Sequence, residues 1–254
     1  MEIGFTSTTF RQIKSLEKIV EIAKTANADC VEWGGDIHVK NVPDAKEARA
    51  LCEKAGVAVS SYGSYYVVGS ADASERRRVS EIAHELGADT VRVWLGKKNS
   101  ENTDEKEYKA ILDDLLRLGE CASQYGLNIS PECHGGTFNN NTDAFLRIAE
   151  DARKAGINNL CTYFQSKYKN PDYDFERIER TLDDTAIVHI SFSEQMREQF
   201  FTKKDSRYAD KLIEKLLDCG FDKRILLEYT YFASPKFFVK DIQRLRLLTQ
   251  RGDV

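Results

Sequence analysis

The feature that most constrains this chain is an alternation running from end to end: eight short apolar segments, rich in β-branched or aromatic residues, are separated by longer amphipathic ones. The short segments are Ile3-Gly4-Phe5, Cys30-Val31-Glu32, Val57-Ala58-Val59, Thr90 to Trp94, Leu127 to Ile129, Leu160 to Phe164, Ala186 to Ile190 and Ile225 to Tyr229. In the intervals, groups such as Ile13, Leu16, Val20 and Ala23, or Tyr108, Ile111, Leu112, Leu115 and Leu116, share one helical face. Five of the seven helix-to-strand turns hold a glycine (Gly56, Gly87, Gly126, Gly156 and Gly220), where a helix ends and the chain must accept a left-handed backbone.

A strand, a helix and a further strand imply parallel pairing through right-handed crossovers, and eight such units can close into a barrel with its helices outside. The competing architecture is an open, doubly wound sheet. Such a sheet normally carries a glycine-rich first crossover, whereas here the first strand runs into Thr6-Ser7-Thr8-Thr9-Phe10. No Pro, Gly or Ser-rich linker divides the 254 residues, a length that such barrels reach as one domain. The sequence predicts an α/β fold, a single-domain (β/α)8 TIM barrel over residues 1–254.

Composition narrows the partners. With 37 Lys and Arg against 41 Asp and Glu, the formal charge is −4, which offers no broad basic footprint for nucleic acid. Neither a basic-then-apolar leader nor a run of about 18 apolar residues occurs, so the sequence predicts a cytoplasmic protein with no membrane partner. The six cysteines fall in no C-x-x-C pair, the pattern of reduced thiols rather than of a zinc knuckle or a disulfide framework. Assembly into a homo-oligomer stays open.

Barrel enzymes place their chemistry at the C-terminal ends of the strands. Of the four histidines, His38 follows strand two, His134 follows strand five and His189 lies in strand seven; only His84 falls within a helix. Glu132 closes strand five and Glu228 closes strand eight. Each has a plain structural account, a carboxylate bonded to a lysine or amide at the rim, or an imidazole satisfied by a carbonyl. Buried carboxylates, however, need a partner or a metal, and two of them with a histidine at one face point toward function. Phe10, Trp33, Tyr62, Tyr65, Tyr66 and Trp94 offer aromatic faces that could stack on a sugar, with ordinary packing the alternative. Lys97 and Lys98, or Arg197 and Lys203, could meet a phosphate, or be solvated surface charges.

With these residues in view, the chain resembles the xylose isomerase-like superfamily of TIM barrels, in its sugar phosphate isomerase and epimerase branch. The resemblance spans essentially the whole chain. It is carried by Val31-Glu32-Trp33-Gly34-Gly35-Asp36-Ile37-His38, Arg92-Val93-Trp94-Leu95-Gly96, Pro131-Glu132-Cys133-His134-Gly135-Gly136-Thr137, Val188-His189-Ile190 and Leu226-Leu227-Glu228-Tyr229. It implies one divalent cation (Mn, Mg, Co or Zn) held by a glutamate of strand five, an aspartate of strand six, a histidine of strand seven and a glutamate of strand eight. Glu132, His189 and Glu228 match three of these. The strand-six pattern Asp-x-x-His has its counterpart here in Thr162-Tyr163-Phe164-Gln165, so that Thr162 would replace the aspartate and Gln165 the histidine. A neutral hydroxyl is a poorer ligand than a carboxylate for a hard ion. The resemblance also implies that His38, His134 and Arg92, with Trp33, Trp94 and Gln165, meet the substrate.

On this reading a sugar or sugar phosphate is isomerised or epimerised through an enediolate, with Glu132 and Glu228 as both acid/base pair and metal ligands. Two other readings follow from the same residues: a barrel that binds a sugar or polyol without turning it over, and a dehydratase or other lyase using the same base and metal. A nuclease with a histidine-rich zinc cluster would need more than four histidines.

Overall fold

The computed structural model describes residues 1–166, 171–192 and 206–250. Eight parallel strands form one sheet: β1 (Glu2–Thr6), β2 (Cys30–Gly34), β3 (Ala58–Val68), β4 (Thr90–Leu95), β5 (Asn128–Pro131), β6 (Thr162–Gln165), β7 (Thr185–Ile190) and β8 (Arg224–Leu227). The order β5-β4-β3-β2-β1-β8-β7-β6 runs almost around the circle. Two isolated parallel bridges, Ile129 with Leu160 and Glu132 with Tyr163, join β5 to β6 and close it into a (β/α)8 TIM barrel. Every predicted strand has its counterpart, and the five turn glycines all have positive φ.

Among the described residues eight α-helices cover the outside: α1 (Leu16–Ala26), α2 (Val42–Ala55), α3 (Ala73–Leu86), α4 (Glu105–Ser123), α5 (Thr142–Lys154), α6 (Pro171–Thr181), α7 (Ser206–Asp218) and α8 (Pro235–Thr249). The starts of α1 to α5 are capped by side chains. Ser15 accepts the amide of Lys18 at the head of α1, and at α4 Asp104 and Glu107 form a reciprocal capping box that satisfies two otherwise orphaned amides. The apolar stripe then turns inward, with Ile19, Val20 and Ala23 of α1 and Ile111, Leu115 and Leu118 of α4 buried. Among the described residues no helix is long and apolar enough to cross a membrane.

Strand alternation sorts side chains to two sides of the barrel wall. Val31 and Trp33 of β2, Phe164 of β6 and Val188 of β7 join the large core between sheet and helices. Cys30, Tyr163, Ile187 and Leu226 form a smaller cluster of their own, on the opposite parity, inside the barrel. Above that inner layer, toward the C-terminal strand ends, the interior becomes polar, and the candidate site lies there.

Candidate active site and metal centre

Four strands on one side build a continuous wall of hydrogen bonds and ion pairs. Arg92 of β4 donates through Nη1 to Glu132 Oε2 and places Nε 3.3 Å from Glu32 Oε1, so one guanidinium joins two buried carboxylates. Trp94 Nε1 donates to the same Glu132 oxygen at 2.6 Å. Glu32 Oε2 accepts from Tyr163 Oη at 2.6 Å and from Ser61 Oγ at 3.0 Å. Gly63 makes room for this ion pair: a Cβ there would stand 2.7 Å from Arg92 Nη2 and 3.3 Å from Glu32 Oε1. Beyond Gly63 the register of β3 against β4 shifts, and the bulge brings Tyr65, at φ +58°, with its ring centroid 5.1 Å from the Arg92 guanidinium. Arg11 donates to Tyr65 Oη at 2.8 Å and to Asp36 at 2.6 Å on the outer lip.

The opposite side is sparsely bonded. His189, on β7, is buried, and neither ring nitrogen has a hydrogen-bond partner. Its Nε2 faces Glu32 Oε2 at 3.6 Å and its Nδ1 faces Glu132 Oε1 at 3.8 Å. Glu228, just past β8 and half-buried, accepts from Gln165 Nε2 at 2.5 Å. One ligand atom each from Glu132, His189 and Glu228 can be chosen so that all three lie within 4.8 Å of one another.

The two sides polarise these groups in opposite directions. Burial pushes Glu32 and Glu132 up, but the Arg92 charge, with His189 next, outweighs it and holds both below the ordinary glutamate value. At Glu228 burial also pushes up; His189 opposes it, the nearby Glu132 charge adds to it, and the net displacement is upward. Burial pushes His189 down, yet Glu32 and then Glu228 and Glu132 draw it above the ordinary histidine value. With the imidazole neutral, three carboxylates face one guanidinium, leaving a residual charge that a single divalent ion matches. Together with the orphaned nitrogens of His189, that residual charge fits a cation held by Glu132, His189 and Glu228.

The remaining predicted residues separate into two groups. Arg92, Trp94 and Gln165 are at the cluster, and His134 lies at its mouth, exposed, its ring centroid 5.3 Å from that of Trp94. Trp33 and His38 do not reach it. Trp33 is fully buried on the helix side of β2, and His38 has both ring nitrogens occupied, Nε2 by the Ile13 carbonyl at 2.8 Å and Nδ1 by Ser7 Oγ at 2.9 Å. Its role is to tie the loop after β1 to the end of β2. Among the aromatic candidates, Tyr65 and Trp94 line the mouth, while Phe10 packs on Phe5 and Phe238, Tyr62 donates to the Val39 carbonyl and Tyr66 donates to Asp114. Lys98 pairs with Glu107. Arg197 and Lys203 lie outside the described residues.

The strand-six correspondence is corrected by the barrel's parity. Thr162 opens β6 and donates its hydroxyl to the Pro131 carbonyl at 3.0 Å. Tyr163 and Gln165 are the residues whose side chains reach inward, and Gln165, in register with His189, is the one at the cluster's level. At the cluster's level β6 therefore presents the neutral amide of Gln165, and the Thr162 hydroxyl is turned to the Pro131 carbonyl instead. Sequence reasoning missed Glu32, Tyr163 and Gly63. The signal for Glu32 was present, a carboxylate at an inward position of an otherwise apolar strand, the pattern that singled out Glu132.

Many solved structures share the architecture, three of which illustrate it. The chain superposes on a probable 3-DHS dehydratase AsbF involved in petrobactin synthesis from Bacillus anthracis with a TM-score of 0.81 at 13% identity, covering 97% of this chain and 99% of that one. For D-allulose 3-epimerase from Methylomonas sp. the TM-score is 0.76 at 14% identity, with 98% of each chain covered. For 3-keto-D-glucoside 4-epimerase YcjR from E. coli it is 0.74 at 15% identity, with 97% of this chain and 99% of that one covered. At these identities the likeness is one of fold. No curated protein matches the sequence. A family model described as xylose isomerase-like TIM barrel matches residues 20–248, and the chain belongs to that family.

Proposed function

We propose that this protein is a metal-assisted isomerase or epimerase acting on a sugar or sugar phosphate, with Glu132 and Glu228 as acid/base pair and Glu132, His189 and Glu228 as the ligands of one divalent cation. The observation that carries the reading is the convergence of those three side chains at the strand ends, with His189 otherwise unbonded. Such an ion supplies polarisation of a carbonyl and its neighbouring hydroxyl. The protein's own groups then divide the proton work. Arg92 and Trp94 occupy one oxygen of Glu132 and favour its anion, whereas Glu228, with its raised proton affinity and one amide contact, is the group better suited to take a proton from carbon and hold it. Trp94, Tyr65 and His134 supply the apolar and polar faces at the mouth. Neighbours of the same fold include a D-allulose 3-epimerase solved in complex with D-allulose, which supports a small sugar as the partner.

The asymmetry of the two glutamates favours one second reading. A dehydratase needs a single group that removes a proton, with the leaving hydroxyl assisted beside it, and Glu228 alone can fill that role. The test is solvent deuterium incorporation into a panel of keto-sugars and dehydroshikimate-like acids, with Mn²⁺ supplied and products identified. Glu228→Gln is expected to lower exchange by about 10²–10⁴-fold, and undiminished exchange in that variant sinks the assignment. Formation of a dehydrated acid selects the lyase.

A further inference from the structure

We infer that Glu32 is a positioning residue for the cation: it takes the proton side of His189, holding the imidazole as the Nε2–H tautomer so that Nδ1 presents its lone pair to Glu132 and Glu228. The inference rests on the metal reading above and assigns a task to a residue outside the ligand set. A neutral imidazole carries one proton, and the hydrogen bond made by one nitrogen decides which nitrogen can ligate. His189 has two nitrogens without partners, and each faces a different carboxylate: Nε2 is 3.6 Å from Glu32 Oε2 and Nδ1 is 3.8 Å from Glu132 Oε1. A proton on Nδ1 would point at the ligand carboxylates and obstruct the ion. A proton on Nε2 points at Glu32, across a gap that a small rotation of either side chain closes to hydrogen-bond length.

Glu32 is held in place for that task. Its side chain is inaccessible to solvent, Tyr163 and Ser61 fix one oxygen, and Arg92 stands against the other. The Tyr163 ring lies edge-on to the imidazole, 5.0 Å between centroids and 83° between planes, which leaves the imidazole little freedom to flip. The glycine at position 63 preserves the space in which Arg92 and Glu32 meet. A Glu32–His189–cation line of this kind is the arrangement by which an outer carboxylate raises the basicity of a ligating imidazole.

Two measurements on the full chain test the role. In the metal-free protein at alkaline pH, ¹⁵N-histidine NMR should show His189 as the Nε2–H tautomer; the Nδ1–H tautomer overturns the inference. In Co²⁺ titration calorimetry, Glu32→Gln should bind about 10–100-fold more weakly than the wild type, while Co²⁺ affinity equal to the wild type's overturns it. If that variant does not fold, Tyr163→Phe keeps the Glu32 charge and loosens its hold; a several-fold weaker Co²⁺ affinity supports the role, and no change overturns it. A wild-type protein that binds neither Co²⁺ nor Mn²⁺ overturns the metal reading itself, and this role with it. Normal wild-type binding with unaffected variants removes only the part assigned to Glu32.

Discussion

The two sides of the polar layer make an instructive contrast. On the β2 to β5 arc, Glu32, Arg92, Trp94 and Glu132 are buried or nearly so and linked through one guanidinium, with Tyr163 reaching across from β6. On the β6 to β8 arc, His189 has no hydrogen bond and the Glu228 side chain accepts from Gln165. The first arc ties most of its polar groups to one another, with Glu32 Oε1 and Arg92 Nε meeting as an ion pair without a hydrogen bond, and its product is a closely linked wall. The second keeps its groups unspent, which is what an ion or a substrate needs to meet. Glu132 belongs to both arcs, held through Oε2 by Arg92 and Trp94 and facing His189 through Oε1.

Breaking the saturated arc should cost the most. Arg92→Met leaves Glu32 and Glu132 buried without a cation between them, and a loss of about 3–5 kcal/mol is expected in urea unfolding; a loss below about 1 kcal/mol would show that the wall does not depend on this pair. The next effect uses pH to separate the arcs. Glu32 and Glu132 have lowered proton affinity in the folded state, so the stability they contribute is present above the unfolded glutamate value of about 4.3 and disappears as pH falls through their folded values. His189 is displaced the other way: its contribution is full below the unfolded histidine value of about 6.5 and disappears as pH rises through its raised folded value. Each unit of displacement is worth about 1.4 kcal/mol. Urea midpoints with a chelator present should fall on both flanks, and a saturating divalent ion should abolish the alkaline fall, because it replaces the charge the imidazole loses. An unchanged alkaline flank with Mn²⁺ would place the ion elsewhere.

Smaller perturbations sharpen the same contrast. Gly63→Ala crowds the Arg92–Glu32 pair from β3 and should cost about 1–3 kcal/mol, read as a lower urea midpoint without loss of the fold. His134→Ala, at the exposed mouth, should leave stability within about 0.5 kcal/mol and raise KM rather than lower kcat. A lowered kcat with unchanged KM would move His134 from substrate contact into the chemistry.

The barrel was legible because its evidence is local. Each strand advertises itself in a few consecutive residues, each helix in its stripe, and glycines such as Gly56 and Gly87 mark where a helix must end in a left-handed turn. Glu132, His189 and Glu228, the proposed ligands, could be picked out because they lie at or just past strand ends, where the fold places chemistry. Glu32 was harder to assign, since its meaning comes from Arg92, His189 and Tyr163, residues 60 or more positions away along the chain. The Thr162 and Gln165 exchange arose from parity: in a four-residue strand, alignment by spacing alone does not say which side chains face inward, and the register to β7 decides it. His38 misled because a histidine after a strand looks alike whether it meets a substrate or ties down a loop, until both its nitrogens are seen to be occupied.

The seam between β5 and β6 gives the candidate centre a mechanical meaning. Seven of the eight strand junctions are extended ladders, whereas this one consists of two isolated bridges, one of them at Glu132 itself. A ring with one thin joint should open there first, so amide hydrogens near Tyr163 and Cys133 are expected to exchange fastest along the barrel wall. An ion bound by Glu132 on one side of that joint and by His189 and Glu228 on the other, as proposed, would act as a rivet across it. Loading the proposed centre should then tighten the seam, read as slower amide exchange along it when a divalent ion is added.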